Sequence, residues 1–256
     1  MKKNGFTLIE LLVVIAIIAL MLAILLPALG KAKEHGKGLV CMTNLRQMSI
    51  AAKTYAADNN DYFPLAYSFD PDPMDSVMIN PSWDFTTVRD WTTSQITVKP
   101  GTLWGSETSE KVHQCPSYKG SSNTLADPFT GYNYNTSYIG RGAGETIRTP
   151  ARTAEVKNTS GCALFGDGEY SGGANKYMRS PFKSDYDMFP ARAAGTQGWR
   201  HSEKTAAVWV DGHASLQKEI YTDTESSQKD EIEEHNEQAE YKIGFLSVDN
   251  RAYDLK

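Results

Sequence analysis

The chain has little cysteine: Cys41, Cys115 and Cys162 are the only three in 256 residues, and no C-x-x-C pair occurs. That excludes a disulfide-stapled miniprotein and the usual local zinc or dithiol redox motifs, and it leaves room for at most one intrachain bridge. Cys41 with Cys115 is the candidate pair if the body lies in an oxidising compartment; small buried hydrophobes is the other reading. Positive charge is not in excess: 26 lysines and arginines stand against 31 acids. The formal net charge is −5, with lysine and arginine scattered among acids, so a nucleic-acid partner is not expected. No G-x-S-x-G, H-E-x-x-H or P-loop sequence is present, and an enzyme is therefore not the expected reading.

What the chain does have is concentrated at one end. Mean hydropathy is negative, yet the first thirty residues are dominated by apolar side chains. The protein is bipartite, an apolar arm and a polar body. As a helix at 1.5 Å per residue, residues 6–29 reach roughly 36 Å, enough to cross a bilayer. The apolar side chains surround that helix, unlike the one-sided stripe of a surface helix. Glu10 interrupts the span. A carboxylate in hydrocarbon is costly and asks for a partner, and no A-x-A-like cleavage site follows the apolar run, so neither a discarded signal peptide nor a simple anchor explains the segment. Pro27 removes a helix hydrogen bond, which predicts a bend near residues 23–27.

Lys2-Lys3-Asn4-Gly5 followed by Phe6-Thr7-Leu8-Ile9-Glu10-Leu11-Leu12-Val13-Val14 resembles the class III signal of type IV pilins and type II secretion pseudopilins. The resemblance implies cleavage between Gly5 and Phe6 by a prepilin peptidase, with N-methylation of Phe6. It also implies that Glu10 of one subunit pairs with the Phe6 amine of a neighbour, so that a charge costly alone sets the register between subunits. The implied partners are the peptidase, an inner-membrane assembly platform and ATPase, and other pilin-like subunits. The implied location is the bacterial inner membrane, single-pass, head outside the cytoplasm, and then a surface or periplasmic filament.

Beyond Gly30 the pattern becomes Leu39, Met42, Leu45, Met48, Ala52 and Tyr55 with polar residues between, an amphipathic continuation of the helix over residues 30–60. Gly36 and Gly38 invite an interruption. Residues 62–100 read as a loop-rich stretch, in which Asp70, Asp72 and Asp75 can gather calcium or simply form a solvated turn. No other cofactor is expected. Strands are expected at 132–139, 162–165 and 205–210, the last entering a type I′ turn at Asp211-Gly212. A charged helix capped by Ser226 or Ser227 and a last hairpin over 242–255 complete the reading. Tyr132, Tyr134, Tyr138, Trp199 and Trp209 are core residues or a sugar-stacking surface.

His201, nine residues and then Asp211-Gly212 is similar to the H-x9-DG motif of a pilin-like, prepilin-processing-associated family. Cys41-Met42-Thr43-Asn44-Leu45-Arg46-Gln47 resembles its C-x-x-N-L-K-Q segment, residues 58–64 its helix exit, and Cys115-Pro116-Ser117 its C-P-S segment. The fold implied is α+β and pilin-like, a long N-terminal helix on an antiparallel head. The organisation expected is a leader at 1–5, a membrane or filament-core helix at 6–29, its continuation at 30–60, and a head at 61–256 with the acidic extension 223–256. Asp211 and Gly212 define a turn in this reading, with His201 bonding across from the start of the strand. A metal site from His201, His213 and a carboxylate, Asp211 or Asp167, is the alternative.

Overall fold

The structure is a computed structural model, and it describes residues 7–68, 76–104, 110–120 and 127–256. Gly5, Phe6 and the aspartates at 70, 72 and 75 lie outside the described residues. Helix α1 runs Leu8–Asp58, 51 residues and about 76 Å long. Thr7 caps it: its Oγ1 accepts from the Glu10 backbone N–H, and the Glu10 carboxylate accepts from the Thr7 backbone N–H and hydroxyl, both at 2.8 Å. The helix passes through Pro27, Gly36 and Gly38 without a break, so neither glycine interrupts it. It is also the one helix, among the described residues, long and apolar enough to span a membrane.

The two halves of α1 differ in what they touch. Large apolar residues from Leu8 to Leu29 are exposed all round, whereas Gly38, Cys41, Leu45, Met48, Ser49, Ala52 and Ala56 are buried at three- and four-residue steps. This stripe is rotated from the one the apolar pattern predicts. Leu39 is 49 % exposed, because the small residues Gly38 and Cys41 take the face that approaches the head.

The head is built on a five-stranded sheet of β4 (Asn133–Asn135), β5 (Ala163–Gly166), β6 (Tyr177–Met178), β8 (Thr205–Trp209) and β9 (Ala214–Gln217), ordered β6-β4-β5-β8-β9. All its pairs are antiparallel except β4 with β6. α1 lies against β5, β8 and β9. The 132–139 strand is cut short. The Asn135 side chain accepts from the Tyr138 backbone N–H and donates to the carbonyls of Ala163 and Tyr253, pulling residues 136–140 into a wide helical turn.

Of the stretch expected to be loop-rich, residues 77–100 are largely strand. β1 (Val77–Pro81), β2 (Phe85–Asp90) and β3 (Ile96–Pro100) form an antiparallel meander. Its prolines stand only at strand ends, where a missing N–H is tolerated. The turn after β2 is held by Asp90, whose carboxylate accepts from the Thr92 and Thr93 backbone N–H groups, and Ser94 takes the positive φ of 58° that closes it.

The C-terminal segment also differs from expectation. Helix α2 (Ser226–Gln238) starts after Glu225 with no side-chain cap. β10 (Ile243–Gly244) pairs with β7 (Gln197–Gly198), and Asn250–Ala252 form a 3-10 turn in place of a hairpin. Tyr253 and Phe245 are fully buried in a second apolar cluster with Ile232, Ile243 and Trp209. The acidic extension is thus an integral wall of the head.

Candidate functional site

The hairpin of β8 and β9 closes differently from a two-residue type I′ turn. The Gly212 N–H donates to the Trp209 carbonyl and the Trp209 N–H to the His213 carbonyl, and only Gly212 takes a positive φ, +97°. This is a three-residue loop with glycine at the left-handed position. Asp211 serves the loop locally: its carboxylate is 2.7 Å from His213 Nδ1 and accepts from the His213 N–H. The paired positive φ angles occur instead at Ser202 and Glu203, 53° and 60°, in a turn where His201 N–H donates to the Lys204 carbonyl.

His201 therefore stands before β8 and Asp211 after it, with about 17 Å of strand between them. The nine-residue spacing measures a strand and its turns. His201 does not bond to Asp211, and a metal site from His201, Asp211 and His213 is not assembled. The ring turns the other way, into the interface with α1, where Gly38 removes the side chain that would separate helix from imidazole; a methyl there would sit 3.4 Å from His201 Cβ.

Four side chains far apart in sequence meet at this interface. Cys41 comes from α1, Cys115 from the segment before the 127–135 loop and strand, Asp167 from the end of β5, and His201 from the turn before β8; all four are buried. Cys41 Sγ donates to Asp167 Oδ1 at 2.9 Å, His201 Nε2 lies 3.2 Å from Asp167 Oδ2, and Cys115 Sγ lies 3.6 Å from His201 Nε2. Cys41 and Cys115 come together as the pairing expectation required, but the thiols are free. On the far side of the imidazole, Nδ1 is 3.3 Å from Ser117 Oγ, which donates to Glu34 Oε2 at 3.1 Å. Asn44 Nδ2 bonds the Gln114 carbonyl and the Tyr132 hydroxyl, tying the helix to the same segment.

Charge is balanced inside the cluster. Burial raises the Asp167 carboxyl, but Arg200 and the His201 hydrogen bond outweigh it and hold the group below the usual carboxylate range. Burial alone lowers His201; hydrogen bonding to Asp167 and Cys115 outweighs that and lifts it to about 10. Burial raises both thiols. For Cys115 the neighbouring Cys41 thiol and the Arg200 charge reverse the direction, to about 5, while Cys41, beside Asp167 and Cys115, is pushed up. Arg200 is fully buried and donates to Asp167, Glu169 and the carbonyls of Gly131 and Gly168.

This is not the geometry of a cysteine nucleophile. A Cys–His pair works when a carboxylate orients the histidine from its other nitrogen, whereas Cys115 and Asp167 both approach Nε2. Tyr132, Tyr134, Tyr138, Trp199 and Trp209 are buried too, so they pack the core and offer no sugar-stacking surface. Sequence reading did not single out Glu34, Ser117, Glu169 or Arg200. Arg200 adjoins the motif histidine and Ser117 ends the C-P-S segment, which is the only local signal they carry.

Comparison with known proteins bears on the other end of the chain. Residues 1–26 match the prokaryotic N-terminal methylation motif, so the likeness to prepilins lies in this arm. It is 45% identical over 61 residues to the type IV wide pilus major component PilA4 of Thermus thermophilus, a stretch covering 24% of this chain and 47% of that protein. It is 35% identical over 65 residues to the type IV major pilin protein PilA of Myxococcus xanthus, covering 25% of this chain and 30% of that protein. The chain thus spans less than half the length of these curated relatives. No solved structure matches the chain.

Proposed function

We propose that this protein is a membrane-anchored subunit of a type IV pilus or type II secretion pseudopilus-like filament, processed by a prepilin peptidase between Gly5 and Phe6. The observation that carries the reading is the division of α1. Its first half, from Leu8 to Leu29, is apolar and exposed on every side, while its second half is docked on the head. Such a surface needs either lipid or copies of itself, and the methylation motif in residues 1–26 supports both in succession. The head lies outside the cytoplasm, and subunits pass from the inner membrane into the filament through an assembly platform and ATPase. The role is structural rather than enzymatic. The head's resemblance to the H-x9-DG family is part of this reading, supported by Cys41, Asn44, Cys115 and His201 meeting at one interface.

Glu10 gives the test. In the single chain its carboxylate is spent on the Thr7 cap; in a filament the methylated Phe6 amine of a neighbour is the stronger partner because it carries the opposite charge. Glu10→Ala subunits are expected to reach the membrane and be cleaved but not to enter filaments, as imaged through a head label. Normal assembly of cleaved Glu10→Ala subunits overturns the pairing.

A second reading, a minor pilin-like adhesin displayed at the cell surface, is favoured by the outer meander. Ile79, Trp91 and Ile96 are exposed there, with the Arg89 guanidinium 4.5 Å from the Trp91 ring centre. Loss of surface adhesion without loss of filaments in a Trp91→Ala strain distinguishes it.

A further inference from the structure

We propose that Cys41, Cys115, Asp167 and His201 form a structural zinc site that clamps the head to helix α1. One donor atom from each residue, two sulfurs, a carboxylate oxygen and an imidazole nitrogen, lies within 4.8 Å of every other in a buried space. Two thiolates, one imidazole and one carboxylate make a closed, four-coordinate set of borderline softness, the chemistry that selects zinc over calcium or magnesium.

The spacing fits. Zn–S bonds of about 2.3 Å and Zn–N and Zn–O bonds of about 2.0–2.2 Å at tetrahedral angles put sulfur and nitrogen about 3.6 Å apart and nitrogen and oxygen about 3.4 Å apart. The structure has 3.6 Å between Cys115 Sγ and His201 Nε2, and 3.2 Å between His201 Nε2 and Asp167 Oδ2. Cys41 is now within hydrogen-bond distance of Asp167 Oδ1. On binding, Cys41 and the imidazolium of His201 each release a proton, and the Cys41 sulfur turns from that oxygen to the metal.

The surroundings are those of a ligand set. Ser117 Oγ donates to Glu34 and so accepts from Nδ1–H of His201, which leaves Nε2 as the nitrogen that gives up its proton and turns its lone pair to the metal. Asp167 Oδ2 is fixed by the Ala206 N–H at 2.7 Å, and Oδ1 by Arg200. Zinc with two thiolates and one carboxylate carries a net charge of −1, which the Arg200 guanidinium opposes. A metal also accounts for the convergence of Cys115 and Asp167 on one nitrogen, which holds at most one proton for two acceptors.

The test uses the full chain in detergent, purified without chelator and dialysed against metal-free buffer. One tightly held zinc per chain is expected. After stripping, added Co²⁺ should give sulfur-to-cobalt charge transfer and the intense visible bands of a tetrahedral site, and zinc should abolish them. Ser117→Ala should keep the stoichiometry and weaken zinc binding about 10–100-fold, and His213→Ala should change nothing. Cys115→Ser should lose the metal, and because that variant can misfold, the wild-type cobalt spectrum and Ser117→Ala carry the decision. The proposal is overturned by a wild-type chain that holds no zinc and gives no tetrahedral cobalt spectrum. It is equally overturned by native protein whose mass is short of two hydrogens through a Cys41–Cys115 disulfide. Neither result touches the filament reading, whose test is at Glu10.

Discussion

Oδ2 of Asp167 lies 3.2 Å from Nε2 of His201, and it is this carboxylate, not Asp211, that answers the histidine. Asp167 sits at the end of β5, where its backbone N–H donates to the Ala206 carbonyl across the sheet. Strand pairing therefore delivers the carboxylate to the histidine, and α1 then covers both.

Asp167→Asn is expected to cost about 3–5 kcal/mol, because it removes the carboxylate shared by the buried Arg200 and His201 and leaves Glu169 alone to answer Arg200. Asp211→Asn, in a partly exposed turn, should cost about 0.5 kcal/mol. Urea midpoints of the two variants check the contrast. Equal losses would mean that the motif aspartate matters beyond its turn.

A second buried charge group sets the acid limit. Asp187 accepts from Arg179 and Arg192 at 2.7 Å each. Burial raises its carboxyl, but the two guanidinium groups outweigh burial and hold it below the usual range. The unfolded chain then binds the proton first, so the stability Asp187 supplies is complete above about pH 4 and lost as the pH falls further. Asp187→Asn should cost about 3–5 kcal/mol at pH 7, and the gap to wild type should narrow at pH 3.

Two glycines should respond in opposite directions. Gly36 lies in α1 with nothing within 4 Å of an added methyl, so Gly36→Ala should stabilise by about 0.5–1 kcal/mol. Gly131 has φ +113° and a methyl there would meet Cys115 Cβ at 2.8 Å. Gly131→Ala should destabilise by about 1–3 kcal/mol. Thermal melts of the purified chain decide both.

Tyr253 is fully buried and its hydroxyl accepts from the Leu246 N–H, while its carbonyl accepts from Asn135. Tyr253→Ala should cost about 3–5 kcal/mol. A variant as stable as wild type would return the C-terminal extension to the status of an appendage.

Gly5→Asp should leave the leader attached, so that the chain isolated from its host begins at Met1 by mass spectrometry. The wild-type chain should begin at an N-methylated Phe6.

The apolar arm, its continuation as a helix and the β8–β9 hairpin were legible because each depends on spacing within a few residues. The meander at 77–100 was not. Its aspartates and prolines resemble a loop's, and only the pairing of β1 with β2 and β2 with β3 shows that they mark strand ends and turns. The 249–255 segment failed for the converse reason: a hairpin pattern is present, but burial of Tyr253 and pairing of β10 with β7 draw the chain elsewhere.

By itself the sequence determined the chemistry of the N-terminal arm, since hydrophobic length, the position of Glu10 and helix periodicity are local properties that survive in any context. It also contained three short segments, around Cys41, Cys115 and His201, and offered Cys41 with Cys115 as a pair, but nothing in it brought His201 to them. Only the tertiary structure decided that, and with it the partner of His201. Asp167 is 34 residues from the histidine and 126 from Cys41, and the four groups become neighbours because β5 pairs with β8 and the Gly38–Cys41 face of α1 packs across both.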